Sequence, residues 1–311
     1  MKVFVAGASG AIGRPLMRQL VAAGHEVTGM TRRAERAEEI RAAGAQAAVC
    51  DVFDAAALEA AVREAAPEVV VHMLTAIPER IDWKAADSLA PTNRLRKEGT
   101  ANLIAAARAA GARRMVAESV AFLYAQQGEW VKDEEAELAF GAPPPFGDAV
   151  DALADLERQV LGTEGMEGIV LRFANFYGPG TMFAAAGSQA EEARRRRLPV
   201  VGKGTGRFSF IHVEDAAAAV VAAVAGDATG VYNIADDDPA PMREWVPAYA
   251  EALGAKPPRR VPVWLARLVA GPAIAANAIE LRGTSNTKAK RELGWQPRYP
   301  SWRQGFREAL G

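Results

Sequence analysis

The chain is predicted to be an α/β protein built on a doubly wound parallel sheet. Three observations predict it. The first half alternates apolar runs with helical patterns and little between them, as βαβ units with right-handed crossovers do. The N-terminal run Val3-Phe4-Val5-Ala6 passes straight into a turn holding Gly7, Gly10 and Gly13, which opens a helical pattern. The chain has 311 residues and is 50% hydrophobic, enough to bury a large core in one or two domains.

Taken in order, the first run suits a buried parallel strand. The helical pattern from Ala11 through Leu16, Leu20 and Val21 stops at Gly24. Further strands are expected at Glu26–Thr31, Ala45–Cys50, Val69–Leu74 and Arg114–Ser119. Helices are expected at Arg33–Ala43, Ala55–Ala65 and Arg94–Ala110, and Gly24, Gly44 and Gly111 sit where C-caps belong. Ligands of such sheets bind beyond the carboxyl ends of the strands.

The first of those ends is an anion site by construction. A strand, a glycine turn and a helix start aim backbone N–H groups and the positive end of a helix dipole at one place. Gly7, Ser9, Gly10, Ala11, Ile12 and Gly13 are thus the expected cradle of a dinucleotide pyrophosphate. The second strand ends Thr31-Arg32-Arg33, with no acid for ribose hydroxyls. Two arginines suit a 2′-phosphate that an acid would repel, so NADP is preferred over NAD. At the third strand end Asp51 can accept from an adenine amino group, with Val52 beside it. The fourth puts Leu74, Thr75 and Ala76 beside the middle of the cofactor, and His72, inside an apolar run, reads as a core histidine.

A net charge of −1 gives no reason to expect nucleic-acid or membrane-surface partners. The basic run Arg194–Arg197 reads as a solvated helix end. A single cysteine, Cys50, excludes an intrachain disulfide and a cysteine metal cluster, and no metal is expected. The first residues already form a strand, leaving no room for a signal peptide. The apolar stretch Val261–Ile279 is broken by Pro262, Arg267 and Pro272, so it does not span a bilayer. A cytoplasmic protein is the expectation.

Several motifs then point one way. They are Gly7-x-x-Gly10-x-x-Gly13, Asp51-Val52, Val71-His72-Met73-Leu74, Gly99-Thr100-x-Asn102-Leu103, Leu171 through Gly180, Phe210-Ile211-His212-Val213-Glu214-Asp215, Tyr232-Asn233-Ile234 and Lys290 through Trp295. Together they resemble the extended short-chain dehydrogenase/reductase family, also called the NAD-dependent epimerase/dehydratase family, over nearly the whole chain. The resemblance implies an NADP-binding Rossmann domain over 1–170. Residues 171–311 are then mainly a smaller C-terminal α/β substrate lobe, with segments near 171–180 and 207–235 returning to the sheet. It also implies cofactor contact by Asn175 and a homodimer.

The departures concern chemistry. The family's activity normally rests on Ser, Tyr and Lys, the last two spaced Tyr-x-x-x-Lys. Four residues after the five tyrosines stand Gly128, Thr181, Asp236, Leu253 and Arg303, none of them lysine. Aligning Glu157 with the acid that follows the family's lysine puts Ala149 and Leu153 at the Tyr and Lys positions. A shifted register offers Phe146 and Val150, and Val120 falls at the serine. Where nucleotide-sugar members carry a diphosphate-gripping arginine stands Phe208, with Arg207 adjacent. The reading is an NADP-dependent oxidoreductase of a small, fairly apolar carbonyl-type substrate, with a non-standard proton donor. Tyr124 is the candidate, with Ser119 or Thr75 polarising the substrate. The alternatives are a non-catalytic NADP(H) sensor or partner-binding protein, and a nucleotide-sugar epimerase or dehydratase.

Overall fold

The computed structural model describes residues 1–310. Seven strands form one sheet: β1 (Lys2–Ala6), β2 (Glu26–Thr31), β3 (Gln46–Val49), β4 (Val69–His72), β5 (Arg114–Val120), β6 (Glu167–Phe173) and β7 (Gly230–Ile234). Their spatial order is β7-β6-β5-β4-β1-β2-β3 and every pairing is parallel. The chain therefore reverses its direction of winding between β1 and β4, where such sheets open a crevice at their carboxyl edge.

Both faces of the sheet are covered, as a parallel sheet requires. Val3, Val5, Val71 and Val116 pack against Leu16 and Leu20 of helix Gly13–Ala22 and Val220 of helix Val213–Ala225. On the other face Phe4, Val70 and Met115 meet Leu58, Leu103 and Leu156 from helices Ala55–Ala65, Thr100–Ala109 and Phe146–Leu161. The period-2 split of β1, Val3 and Val5 one way and Phe4 and Ala6 the other, makes this run a central strand.

Strand ends shift by one or two residues, as at Gln46–Val49 and Val69–His72, and three boundaries differ more. The segment expected as helix Arg33–Ala43 starts with a 3-10 turn, Ala34–Arg36, and becomes α-helical at Ala37–Ala42. The helix expected from Arg94 starts at Ala90, with Pro91 in its first turn, and passes through a π-helical turn at Leu95–Gly99. Strand β6 crosses the domain boundary expected at 170/171, because Ile169, Leu171 and Phe173 are all sheet core.

The lobe is built on aromatic rings. Phe183, Phe210, Trp245, Tyr249 and Phe306 pack edge-to-face, with centroids of the paired rings 5.1–6.5 Å apart. Asp215 ties the C-terminal segment to the sheet domain by accepting from the backbone N–H groups of Arg298 and Tyr299, both at 2.9 Å. The basic run ends helix Ser188–Arg194, with Arg195 and Arg197 paired to Glu191 and Glu192. No helix is long and apolar enough to cross a membrane.

Candidate active site

The glycine turn has little freedom to be anything but glycine. Gly7 sits at φ 99°, and a Cβ there would lie 2.4 Å from the Met73 carbonyl oxygen. A Cβ on Gly13 would lie 2.2 Å from the Gly7 carbonyl oxygen, whereas one on Gly10 would meet only that oxygen, at 3.3 Å. The turn is thus welded to β4 on one side and to its own helix on the other, and it is open at Gly10. No side chain caps the helix that begins at Gly13; Arg14 and Leu16 donate to the Gly10 and Ile12 carbonyls, while the N–H groups of Ala11, Ile12 and Gly13 have no partner among the described residues and are open to an anion. The segment Gly178-Pro179-Gly180 crosses above; a Cβ on Gly180 would be 3.6 Å from that of Ala11.

At the end of β2 both Arg32 and Arg33 are exposed, and neither forms an ion pair among the described residues. Thr31 fixes the local backbone, its hydroxyl accepting from the Arg33 N–H at 3.2 Å. Asp51 is exposed beyond β3 and accepts from the Phe53 N–H at 2.9 Å. The buried Val52 gives its carbonyl to the Asn102 side-chain amide at 3.0 Å, which explains the Gly99-Thr100-x-Asn102 motif structurally. Asn175 lies across the crevice on the short strand Asn175–Tyr177, with its amide donating to the Ser209 carbonyl at 3.0 Å.

Beyond β4, Leu74 and Ala76 are half-buried and Thr75 is exposed. The Ala76 N–H donates to Thr92 Oγ1 at 2.8 Å. His72 is a core residue. Its Nδ1 accepts from the Leu74 N–H at 3.2 Å, which assigns the proton to Nε2, 3.0 Å from Thr100 Oγ1. Burial, with Arg96 nearby, pushes its pKa down to about 4. Folded protein keeps this ring neutral while the unfolded chain takes a proton below its ordinary 6.5. The His72 share of stability is therefore full above that value and is lost as pH falls towards about 4, a decline of about 3 kcal/mol. Unfolding of wild type and His72→Gln across this range measures it; parallel curves would refute it.

Ser119 and Tyr124, expected to serve catalysis, lie in a closed buried network. Ser119 Oγ donates to Glu157 Oε1 at 2.7 Å. Arg172 binds Glu157 through two contacts of 2.8 and 2.7 Å and donates to the Tyr124 hydroxyl at 3.0 Å. That hydroxyl donates in turn to Asn233 Oδ1 at 2.7 Å. Both protons are committed inside the protein, and burial pushes the Tyr124 phenol pKa up. In this arrangement neither proton points to a substrate, against the expectation of Tyr124 as donor and of Ser119 as a substrate-polarising group. A surface hollow of about 650 Å³ behind the network is lined by Lys97, Phe140, Asp151, Arg158 and others, and by none of the turn residues.

Val120, Ala149 and Leu153, which the first alignment above sets against the family's Ser, Tyr and Lys, are 7%, 6% and 2% exposed. Val120 and Leu153 share one apolar cluster with Leu123 and Val150, and Phe146 packs on it. The shifted register, Phe146 and Val150, lies in the same cluster, so either alignment places apolar side chains at the Tyr and Lys positions. In the lobe Phe208 packs on Trp245 at 5.1 Å, and Arg207 is turned to the Pro239 carbonyl at 3.1 Å.

One ionisable pair at this edge belongs to none of the sequence motifs. Glu118, near the end of β5, is only half-buried as a residue, yet its carboxyl is enclosed enough that burial pushes it up to about 7. Arg96, 6% exposed, is the charge beside it, and burial lowers that guanidinium to about 10.

Comparison with known proteins matches residues 3–235 to the model of the NAD dependent epimerase/dehydratase family. A Streptomyces protein, 3-diazoavenalumate denitrifying reductase, is 46% identical over 98% of this chain and 99% of its own. The 2-alkyl-3-oxoalkanoate reductase of Stenotrophomonas maltophilia is 30% identical over 82% of this chain and 76% of its own. Among solved structures, the UDP-glucose 4-epimerase of Thermus thermophilus in complex with NAD superposes with a TM-score of 0.75 at 25% identity, covering 100% of this chain and 98% of that one.

Proposed function

The chain belongs to the NAD dependent epimerase/dehydratase family and is an oxidoreductase, and from that premise we propose that it is an NADP-dependent reductase of a small, largely apolar electrophile, a diazo compound or a conjugated carbonyl. The observation that carries this reading is the apolar filling of the Tyr and Lys positions. Epimerisation and dehydration begin by taking a proton from a sugar hydroxyl as hydride leaves, so they need a base held there. Reduction of an activated electrophile needs no such base: the cofactor supplies hydride, and the protein binds, orients and supplies at most one proton. The name of the Streptomyces relative, a denitrifying reductase of a diazo compound, supports the diazo class, in which departure of N2 makes hydride transfer irreversible. Phe208 and the inward-turned Arg207 argue against a sugar diphosphate.

In this reading the pyrophosphate rests on the backbone of Gly7, Ser9, Gly10, Ala11, Ile12 and Gly13, under Gly180. Arg32 and Arg33 take the 2′-phosphate, Asp51 and Val52 flank the adenine, and Leu74, Thr75, Ala76 and Asn175 border the nicotinamide half. Thr75, exposed at its strand end, remains available to polarise the substrate. Anaerobic NADPH oxidation with a diazonaphthoquinone and an aryl enone tests the reading, with released N2 measured for the first. Turnover of neither compound overturns it.

The cofactor preference has its own test. Each arginine offers charge-assisted hydrogen bonds to a phosphate. Arg32→Ala with Arg33→Ala is expected to weaken NADPH binding by about 100-fold, two such contacts of about 1.5 kcal/mol each, and to leave NADH binding nearly unchanged. Fluorescence titration of both nucleotides reads this out; equal losses for the two would refute the 2′-phosphate assignment.

A further inference from the structure

Reduction of a neutral electrophile needs a proton as well as hydride, and the two hydroxyls first in line for that role are committed within the Ser119–Glu157–Arg172–Tyr124 network. We propose that the Glu118 carboxyl delivers this proton, which makes Glu118 the catalytic acid of the site, and that Arg96 positions and tunes it. The assignment rests on the reductase reading above.

Its placement comes from the register of the sheet. Ala6 stands opposite His72 and His72 opposite Ala117. Gly7 and Glu118 are each one residue further towards the carboxyl edge, at one level of the sheet and two strand spacings apart, about 10 Å. A dinucleotide whose pyrophosphate sits on the Gly7 turn and whose reactive ring extends past β4 comes to the end of β5, where Glu118 is. Arg96 reaches the same spot from the covering helix. It lies one turn after Thr92, whose hydroxyl holds the Ala76 N–H, so both face the loop that follows β4.

The chemistry of the pair fits an acid. The Glu118 carboxyl neither donates nor accepts a hydrogen bond among the described residues and the residue keeps partial exposure, so its proton is not already spent. The charge acting on it is Arg96 from the helix; its strand neighbour Ser119 turns to the Glu157–Arg172 pair, so Glu118 points to the other side of the strand, and His72 on β4 is held neutral. Burial outweighs the pull of Arg96 and leaves the carboxyl titrating at about 7. In a carbonyl reduction the hydride pair forms the new C–H bond, the C=O π pair moves to oxygen, and that oxygen takes the Glu118 proton. In a neutral diazo compound conjugated to oxygen, the proton goes to oxygen and hydride to the diazo carbon, and the C–N bonding pair leaves with N2. Water then reprotonates the carboxylate.

The test follows kcat/KM against pH for wild type, Glu118→Gln and Glu118→Asp, with NADPH and a diazonaphthoquinone. Wild-type activity is expected to fall as pH rises through about 7. Glu118→Gln should lose about 100-fold or more, together with that limb, while binding NADPH like wild type. Glu118→Asp should keep an acid limb at a displaced pH. Equal activity and an unchanged limb in Glu118→Gln would overturn the assignment alone. Equal losses in both variants without a change in the limb would also overturn it, as a purely structural effect. No wild-type turnover would overturn the reductase reading and this role with it.

Discussion

Replacing Arg172 by methionine is expected to cost about 3–5 kcal/mol of stability, read as a lower urea midpoint at unchanged slope. Arg172 and Glu157 are each only 7% exposed in their side chains, and the guanidinium meets both carboxylate oxygens. Removing it leaves a buried carboxylate with the Ser119 hydroxyl as its one remaining donor, and takes a donor from the Tyr124 hydroxyl. The double variant Arg172→Met, Glu157→Leu removes both charges and should recover most of the loss, since the pair itself offsets little more than its own desolvation. If the single and double variants were equally unstable, packing and not the orphaned charge would be the cause. Because the network joins β5, β6, β7 and helix Phe146–Leu161, its loss should also loosen the edge that carries Glu118.

The glycine turn, on which the proposed cofactor half of the site rests, is legible in the sequence because its requirement is one of backbone. A turn that needs glycine at Gly7 and Gly13 writes that need into the chain, and the positions of Arg32, Arg33 and Asp51 follow from counting strands. Helix starts are less legible: the stretch before Arg94 contains Pro91, which stops a helix only when it is interior and here lies in the first turn. The proposed catalytic half is less legible for a physical reason. Tyr124 and Ser119 attract attention by residue type, but a hydroxyl is useful only if its proton is uncommitted, and that is a matter of partners brought from β6, β7 and a distant helix. Glu118 does leave a signal. It is an acid that directly follows the apolar run Met115-Val116-Ala117, a position where burying a charge demands compensation or function.

Restoring the family's residues at Ala149 and Leu153 should not restore the family's chemistry. Leu153→Lys would place an ammonium in the cluster of Val120, Leu123 and Val150, one helical turn before Glu157, whose carboxylate is already held by Arg172. The lysine would have to lose its proton or push the helix outward, at a cost of several kcal/mol. Ala149→Tyr would add a ring at a position that is 6% exposed, an overpacking of about 1–3 kcal/mol. The double variant is therefore expected to unfold at markedly lower urea and to show no activity on a UDP-sugar. A stable double variant with epimerase activity would mean that the site had lost two side chains and kept their cavity. The expected failure would mean instead that the β5 end and the helix have closed over that cavity. On the reading proposed above, the proton then comes from Glu118 on β5, and the site needs hydride and an acid where the family's chemistry needs a base.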